Sequence, residues 1–422
     1  MISSVESSQT KQIFAAVIGN ALEWYDFMIF GIMAAILAPL FFPSSNEYTS
    51  IMLTLAVFGA GYFMRPIGAI VLGLYSDIKG RKKALQLIMF LMTLAVAMMA
   101  FAPTYSKIGI AAPILVVLSR LLQSFATGGE FASSTSFLFE ASPNHRRGFY
   151  ASLQAAGQGI AIILGTLAGA AITGFLTQGQ IDSWGWRIPY FLGLLIGPMG
   201  IYIRRHLVET EVFQKNQKDN NVPLIKLLRL NLRGLVASFC LISGLTLSVY
   251  ILTIYFPIYS KTQLGLSLNE SFVALILGIL FATLTTPLFG LLSDYIGRRT
   301  VLLTFFILFF LSAYPLFSWV LSGPTFGKII TLQLIFGFLI GGLGPYSAAT
   351  AEQFPTGIRS LGLAISYNFA VALFGGTAPF FVNGLIKLTG SPLVPAFYIM
   401  FGTTLAFCGT LLLNEGKKKL LP

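Results

Sequence analysis

Two stretches of the sequence are nearly identical and lie half the chain apart. GLYSDIKGRK occupies Gly73–Lys82 and GLLSDYIGRR occupies Gly290–Arg299, in a chain of 422 residues. A second pair, EASPNHRR at Glu140–Arg147 and EQFPTGIR at Glu352–Arg359, aligns Glu, Pro and Arg at the same offsets. A repeat at this period predicts two homologous halves, each with one copy of both motifs.

The composition places the chain in lipid rather than in water. Hydrophobic residues make up 55% of the sequence and charged residues 10%, whereas soluble domains carry about 25% charged residues. Apolar stretches of the length needed to cross about 30 Å of hydrocarbon occur twelve times, six in each half. The predicted spans are 13–38, 51–75, 84–103, 110–138, 149–176, 188–203, 234–259, 271–292, 300–321, 328–350, 360–386 and 395–413. We therefore expect an all-α membrane protein with twelve transmembrane helices in two pseudo-symmetric six-helix bundles.

The spans divide the chain into two bundles and one polar connection. We expect an N-terminal six-helix bundle over residues 1–203, a cytoplasmic linker over 204–233 and a C-terminal six-helix bundle over 234–422. The linker is basic, but acidic residues interleave its Lys and Arg, which favours a segment lying on anionic lipid over a nucleic-acid-binding arm. Two homologous bundles that face a central cavity suit the movement of a solute across a membrane.

Basic residues predict the orientation of the bundles. Of the 27 Lys and Arg residues, 20 fall in predicted loops on one side of the membrane and five on the other. The positive-inside bias assigns the richer side to the cytoplasm, so we expect a multi-pass protein of the inner (plasma) membrane with both termini cytoplasmic. This bias explains the net charge of +12, and no nucleic-acid partner is expected.

Five charged residues remain inside the predicted spans, and all belong to the first half: Glu23, Asp26, Arg65, Arg120 and Glu130. A charge at the centre of a bilayer costs about 2.5–3.5 kcal/mol even on a lenient scale, so such residues usually face a cavity and form pairs. Asp26 and Arg120 lie at similar depths, because their helices enter the membrane from opposite sides. The simpler interpretation, buried pairs that only hold helices together, stays open.

Helical spacing arranges the polar residues of two spans in stripes. Arg120, Gln123 and Glu130 follow one another at i, i+3 and i+10 on one face of the fourth span, and Asn20 and Glu23 begin a similar stripe on the first. These stripes run from the middle of the membrane towards the cytoplasm. We predict proton coupling by Asp26, Glu23 and Glu130, and substrate binding by Arg120, Arg65, Asn20 and Gln123.

Asp26 and Arg120 suggest how proton and solute could be coupled. An ion pair between them would keep Asp26 ionised, and protonation of Asp26 would free the planar guanidinium of Arg120 for a substrate carboxylate. Trp24, Tyr25 and Phe27 could line the site or hold a quaternary ammonium group by cation–π contact. The second half has no charge inside its predicted spans and could close over the solute with neutral groups, for which we predict Tyr250, Tyr346, Tyr367 and Asn368.

Several further segments of the sequence are distinctive. They are GNALEWYDF (19–27), RPIGAIVLG (65–73), RLLQSFATGGEF (120–131), EASPNHRRG (140–148) and ETEVF (209–213). With these and the loop motifs, both halves of the chain resemble the metabolite:proton symporters of the major facilitator superfamily, which include carriers of proline and betaine, α-ketoglutarate, citrate and shikimate. The resemblance implies the major facilitator fold and a proton-coupled symporter that imports a small carboxylate or zwitterionic metabolite by alternating access.

The resemblance also implies that the loop motifs form a latch at the cytoplasmic side. In this latch Asp77 and Asp294 accept hydrogen bonds from neighbouring helix ends, while Arg81 and Arg298 pair across the gap between helices. A carboxylate at a helix N-terminus is stabilised by about 0.3–1 kcal/mol. Gly73 and Gly290 permit a close helix approach, and Gly80 and Gly297 suit a left-handed helix end. The other predicted latch residues are Glu140, Arg147, Glu352 and Arg359.

Other functions remain open from the sequence alone. A proton-coupled exporter of small molecules is the nearest alternative, although the fifth span lacks the Gly-Pro pair typical of exporters, and a membrane sensor without flux is another. A membrane enzyme is not expected, since the sequence has no phosphate-binding Gly-Lys loop and its two histidines lie in predicted loops. No cofactor or metal is expected. The expected partners are protons, the lipid bilayer and a small substrate that the sequence does not name, and the protein is predicted to be a monomer.

Overall fold

The computed structural model describes residues 2–79, 81–128, 130–140, 142–194 and 231–414, and every regular element in these ranges is helical. The first half contains α1 (Ile2–Ile32), α2 (Ala34–Phe41), α3 (Glu47–Tyr62), α4 (Met64–Lys79), α5 (Arg81–Ala100), α6 (Tyr105–Ile108), α7 (Ala111–Thr127), α8 (Glu130–Glu140), α9 (Arg147–Phe175), α10 (Gln178–Ser183) and α11, of which 188–194 are described. The second half contains α12 (Leu232–Tyr250), α13 (Phe256–Gln263), α14 (Leu268–Ile296), α15 (Arg298–Leu321), α16 (Phe326–Gly342), α17 (Tyr346–Ala351), α18 (Arg359–Ala370), α19 (Ala378–Thr389) and α20 (Val394–Leu412).

The described helices follow the predicted spans. Eight of them are long and apolar enough to cross a membrane, and α1 with α2, which are bent by 60° against each other, make a ninth. Two shorter apolar helices, Gln86–Ala100 and Ala111–Thr127, lie in the third and fourth predicted spans. The sixth predicted span is described only as far as residue 194, and the predicted linker lies almost wholly outside the described residues.

The two copies of each motif occupy equivalent places. The loop motifs lie where α4 and α14 end, and the second motifs each form a three-residue 3₁₀ turn, at Asn144–Arg146 and at Thr356–Ile358. A long helix then begins at the motif arginine in both halves, α9 in the first and α18 in the second. All four motifs lie at one end of the molecule, which we call the motif end. The order of elements at this end therefore repeats as the sequence predicts.

Several spans contain a break in the regular α-helix. A π-helical turn at Ile251–Tyr255 separates α12 from α13, another at Val371–Gly375 follows α18, and α16 and α17 are interrupted at 343–345. A broken helix leaves backbone groups that need other partners, and such breaks line cavities in membrane proteins. At the first π turn, Gln333 supplies that partner, because its Nε2 donates to the Leu252 carbonyl at 3.1 Å.

Candidate functional site

Arg120 lies in the middle of α7 and is 1% exposed. Its Nη1 donates to the Phe27 carbonyl at 3.2 Å and to the side-chain oxygen of Gln123. Its Nε and Nη2 are buried and have no hydrogen-bond partner. These two nitrogens form one edge of the guanidinium, the edge that matches both oxygens of a carboxylate. Arg120 thus has a free bidentate donor edge in a dry environment.

The carboxyl of Asp26, on α1, forms no ion pair with this guanidinium. Gln123 connects the two residues, since its Nε2 donates to the main-chain oxygen of Asp26 at 2.9 Å. The Asp26 carboxyl instead lies against Gly193 of α11, where a Cβ atom would overlap it, and its Oδ1 has no partner. The predicted Asp26–Arg120 ion pair is therefore wrong for this structure. The two helices do meet at one level, but Arg120 reaches the backbone of α1 while the Asp26 side chain points to the sixth span.

Phe27 lies between two cations. The Arg120 guanidinium is 4.6 Å from the centre of its ring, and the Arg65 guanidinium is 4.1 Å from the same centre. Arg65 also lies over Tyr62 and Trp24, at 4.7 and 5.6 Å. A guanidinium against a ring face takes the place that another cation would need. The sequence predicts that Trp24 and Phe27 could hold a quaternary ammonium group. In the structure, guanidinium groups of the protein already lie over both rings.

The second half supplies neutral groups to the same centre. The hydroxyls of Tyr250 and Tyr62 are 2.7 Å apart, and Arg65 hydrogen-bonds the side chain of Tyr367. Asn368 donates to the Gly128 carbonyl at 2.6 Å, which joins α18 to the end of α7. Tyr346 is buried as well. The predicted residues of the second half therefore lie at the interface of the two halves.

The polar stripe of α1 continues towards the motif end. Asn20 and Glu23 are both buried, and the Asn20 amide nitrogen lies 3.5 Å from the Gln154 carbonyl of α9. Gln154 itself accepts a hydrogen bond of 2.6 Å from Thr135 of α8. Glu130 is the third predicted proton-coupling residue, and its side chain does not belong to the part of the chain that the structure describes. The structure brings the other central predictions together in one buried region.

At the motif end, Asp294 of α14 caps a helix of the other half. Its two carboxylate oxygens accept hydrogen bonds from the backbone N–H groups of Gly148 and Phe149, at 2.8 and 3.0 Å, where α9 begins. Arg298 pairs with Asp294 at 2.7 Å and with Glu352 at 3.3 Å. The Asp294 contact has the form that the resemblance implied. Its first-half counterparts, the Asp77 and Arg81 side chains and Gly80, lie outside the described residues.

The predicted glycines of the latch differ from one another. A Cβ on Gly290 would lie 2.7 Å from the Gly148 carbonyl, so α14 and α9 touch backbone to backbone. Gly297 has φ +97°, which only glycine adopts without strain. Gly73, in contrast, is exposed and has no atom within 4 Å of a Cβ position. The prediction of a close helix approach at Gly73 is therefore wrong here, because the tight contact at the motif end involves α14 and α9 rather than α4.

A buried ion pair closes the same end between other helices. Arg359 of α18 pairs with Glu140 of α8 at 2.5 Å, and its Nε donates to the Ala351 carbonyl at 3.1 Å. Burial raises the pKa of Glu140, an effect that the Arg359 guanidinium partly offsets. Arg147, also predicted for the latch, lies 4.7 Å from the Phe139 ring. Breaking one side of such a pair would leave a buried charge uncompensated.

The two halves also meet at the opposite end. Lys261 of α13 pairs with Glu47 of α3 at 2.7 Å, and the Lys387 ammonium lies 5.2 Å from the Tyr48 ring. Both cations come from the second half and both partners from the first turn of α3. Because the halves also touch at the motif end and the central residues are buried, this conformation closes the site towards both ends.

Sequence reasoning missed Tyr62 of α3, whose hydroxyl is bonded to that of Tyr250, and two residues of α11. Tyr190 is 2% exposed and its hydroxyl has no partner, while Gly193 makes room for the Asp26 carboxyl. Tyr25 explains why this segment lies here, because its hydroxyl donates to the Pro189 carbonyl at 2.9 Å. The one signal in the sequence was a tyrosine after a proline inside an apolar span.

Two family models match the chain. One, described as Major Facilitator Superfamily, matches residues 16–285, and one described as Sugar (and other) transporter matches residues 204–421. The chain belongs to the major facilitator superfamily. This confirms the family that the loop motifs and GNALEWYDF predicted. As a member of this superfamily the chain is a multi-pass membrane transporter and not an enzyme.

The relatives narrow the group within the superfamily. The chain is 38% identical over 393 residues to the "Citrate-proton symporter" of Salmonella typhi, which covers 93% of this chain and 90% of the relative. It is 31% identical over 432 residues to the "Ectoine/proline transporter ProP" of Corynebacterium glutamicum, covering 96% of this chain and 84% of the relative. These are carriers of the metabolite:proton symporter group that the sequence resembles.

A solved structure shows the same fold. The xylose transporter XylE from E. coli, in a partially occluded inward open conformation, superposes with a TM-score of 0.76 at 15% identity. The match covers 98% of this chain and all of XylE. At this identity the likeness concerns the fold alone. It confirms the major facilitator fold predicted from the repeat and the spans.

Proposed function

We propose that this transporter imports a small carboxylate together with protons, and that Arg120 binds the carboxylate. The observation that carries this proposal is the free Nε and Nη2 edge of a guanidinium that is buried almost completely. An unpaired cation in a dry site is costly, and a bidentate anion removes that cost. Arg65, on the other face of Phe27, adds positive charge near the same place.

The aromatic rings favour a carboxylate over a quaternary ammonium. A cation–π cage needs free ring faces, yet guanidinium groups lie over Trp24, Phe27 and Tyr62. A betaine would therefore compete with Arg65 and Arg120 for these faces. Of the substrates named for the relatives, citrate fits this distribution of charge better than proline or betaine does.

Asp26 is the proposed proton carrier. Its carboxyl is buried, has an oxygen without a partner, and lies apart from the guanidinium groups. Closing both ends over an ionised carboxylate in this position costs several kcal/mol, and protonation removes most of that cost. The site therefore closes more easily when Asp26 carries a proton, which couples proton binding to the conformational change without a direct pair with Arg120.

Transport would proceed by rocking of the two halves around the central site. We propose that the halves are the bundles 1–203 and 234–422, joined by the linker 204–233, and that the motif end faces the cytoplasm in the inner membrane. The buried contacts of the motif end and the exposed Lys261–Glu47 pair would then open in turn. In the direction of import, each proton that enters releases about 2.3 kcal/mol per 100 mV of membrane potential, and the accompanying protons must offset the negative charge of the carboxylate for the gradient to drive the cycle.

Uptake of labelled citrate into proteoliposomes, with the outer medium acidic, tests this function. Arg120→Lys removes the fork geometry but keeps the charge, and we expect it to weaken citrate binding about 10- to 150-fold, the equivalent of 1.5–3 kcal/mol. Arg233→Lys is the matched control, since Arg233 is exposed and, among the described residues, hydrogen-bonds the Leu412 carbonyl. An unchanged apparent affinity in Arg120→Lys, or uptake of betaine without uptake of citrate or any other anionic carboxylate, would refute the proposal.

A further inference from the structure

Tyr190 differs from the other buried tyrosines of the described chain. Tyr25, Tyr255 and Tyr259 donate to Pro189, Asn383 and Pro392, at 2.9, 3.0 and 2.9 Å. Tyr190 is buried as deeply, yet its hydroxyl is the one buried tyrosine oxygen among the described residues without a hydrogen-bond partner.

A buried hydroxyl without a partner is unusual and needs a reason. Leaving such a group unsatisfied costs about 1–3 kcal/mol, and most buried polar groups in proteins are paired. Phenylalanine would fill the same space without that cost. The tyrosine therefore destabilises this closed conformation in the absence of a ligand, which indicates that the hydroxyl has a partner in another stage of the cycle.

The position of Tyr190 identifies that partner. Two contacts dock α11 on α1, the Tyr25 hydrogen bond to Pro189 and the fit of the Asp26 carboxyl against Gly193. Tyr190 lies between Pro189 and Gly193 in the chain, and its neutral hydroxyl is within electrostatic range of the Arg120 guanidinium. The unpartnered hydroxyl and the unpartnered guanidinium edge thus belong to one buried region, contributed by the sixth and fourth spans.

We infer that Tyr190 is a specificity-determining residue whose hydroxyl binds a second oxygen group of the substrate. This inference rests on the proposed function, in which Arg120 holds a first carboxylate. The substrate class is then a polycarboxylate or hydroxy acid, since an acid of this kind can satisfy both groups. A zwitterion with a single carboxylate, such as proline or betaine, satisfies Arg120 and leaves Tyr190 unpaired.

Transport by Tyr190→Phe in proteoliposomes tests the inference. Citrate, tricarballylate, which is citrate without its hydroxyl, and propionate, which has one carboxylate, are compared as labelled substrates or as competitors of citrate. We expect the variant to raise KM for at least one of the two tricarboxylates about 5- to 20-fold, the loss expected for one hydrogen bond, and to leave competition by propionate unchanged. A rise for both tricarboxylates would show that Tyr190 contacts a carboxylate, and a rise for citrate alone would show that it contacts the hydroxyl.

Tyr259→Phe is the matched control, because it removes a buried tyrosine hydroxyl that is bound to the Pro392 carbonyl in the other half. It should lower thermal stability without changing the ratio of KM values, whereas Tyr190→Phe should be at least as stable as the wild type. Equal KM values for wild type and Tyr190→Phe, or an equal rise for all three acids, would refute the inference while the proposed function stands. A wild-type protein that takes up no carboxylate would refute both.

Discussion

At the scale of single residues, Gln123 links the two groups on which the proposed coupling depends. Its amide nitrogen donates to the backbone of Asp26, and its amide oxygen accepts from Arg120. A movement of α1 that follows protonation of Asp26 would therefore reach the guanidinium through Gln123 as well as through the direct hydrogen bond of Arg120 to the Phe27 carbonyl. No direct ion pair is needed, and the substrate carboxylate is free to take the other edge of Arg120.

Asp26→Asn should separate proton coupling from solute movement. The amide has nearly the shape of the protonated acid but cannot release a proton, so we expect loss of proton-driven accumulation and retention of solute exchange. Accumulation with and without a protonophore, together with counterflow of labelled citrate, measures the two activities. Asp182→Asn, on the short helix α10, is the control. Accumulation at the wild-type level in Asp26→Asn, still sensitive to the protonophore, would show that another group carries the proton.

Sequence spacing predicted part of this arrangement. Arg120 and Gln123 were placed on one helix face, and in the structure their side chains are bonded at that i, i+3 spacing. The direction of the Asp26 carboxyl could not be predicted in the same way. It depends on the missing Cβ at Gly193 and on the docking of α11 through Tyr25, and both depend on packing between residues far apart in the sequence.

At the scale of secondary-structure elements, the broken helices depend on side chains from neighbouring spans. The π turn at Ile251–Tyr255 lies between Tyr250 and α13, and it is the place where the seventh span passes the centre of the molecule. Gln333 of α16 donates a hydrogen bond to one of its backbone carbonyls, that of Leu252. Irregular backbone of this kind persists in a membrane only where protein groups satisfy it.

Gln333→Leu should therefore destabilise the seventh span. The change leaves the Leu252 carbonyl buried without its partner, at a cost of about 1–3 kcal/mol. We expect the apparent Tm of the purified protein to fall by several degrees. Gln263→Leu, at the exposed end of α13, provides the same chemical change without the buried bond. Equal Tm values for the two variants would mean that the π turn does not need Gln333.

Some helix breaks could be predicted from the sequence and others could not. Gly344 with Pro345, and Gly376 shortly before Pro379, are visible interruptions of apolar runs. The π turn in the seventh span occurs within ILTIY, a run without glycine or proline. Pro257, five residues after Leu252, has no backbone N–H and so leaves the Leu252 carbonyl without its helical partner, which is a local signal for a break. The group that replaces this partner, Gln333, lies 81 residues further along, and no local pattern indicates it.

At the scale of the whole molecule, the ends of the site are closed by contacts of different strength. The Arg359–Glu140 pair at the motif end is almost fully buried, with 2% and 9% of the side chains exposed. The Lys261–Glu47 pair at the opposite end is open to solvent, with 43% and 64% exposed. Exposed pairs contribute about 0–1 kcal/mol, whereas loss of one partner of a buried pair costs about 3–5 kcal/mol.

Glu140→Ala should consequently shift the population towards a form open at the motif end. Arg359 would stay buried without its partner in the closed form but becomes hydrated in the open form. The opening is measured with Ser360→Cys in a protein whose two native cysteines are replaced by serine. A thiol reagent should modify this cysteine faster when the motif end is open. Glu47→Ala should leave the rate unchanged. Equal rates in both variants would contradict the assignment of the buried pair as the stronger closure.

The architecture was the part most accessible to sequence reasoning. The repeated motifs predicted two halves, and the 3₁₀ turns before α9 and α18 show the repeat directly. Whether each end of the site is open or closed could not be predicted from the sequence. It depends on contacts between the two halves, and each motif contains the residues of one side of such a contact. Gly73 illustrates this, since it resembles Gly290 in sequence and lies in an open position where Gly290 touches a backbone.

The meeting of Gly148 and Gly290 has a practical consequence. A Cβ on Gly148 would lie 2.5 Å from the Gly290 carbonyl oxygen, so one added methyl group acts as a wedge between α9 and α14. Experimenters who wish to trap a single conformer for cryo-electron microscopy or nanobody selection can therefore begin with one alanine at this crossing, and need not cross-link the protein or add an inhibitor.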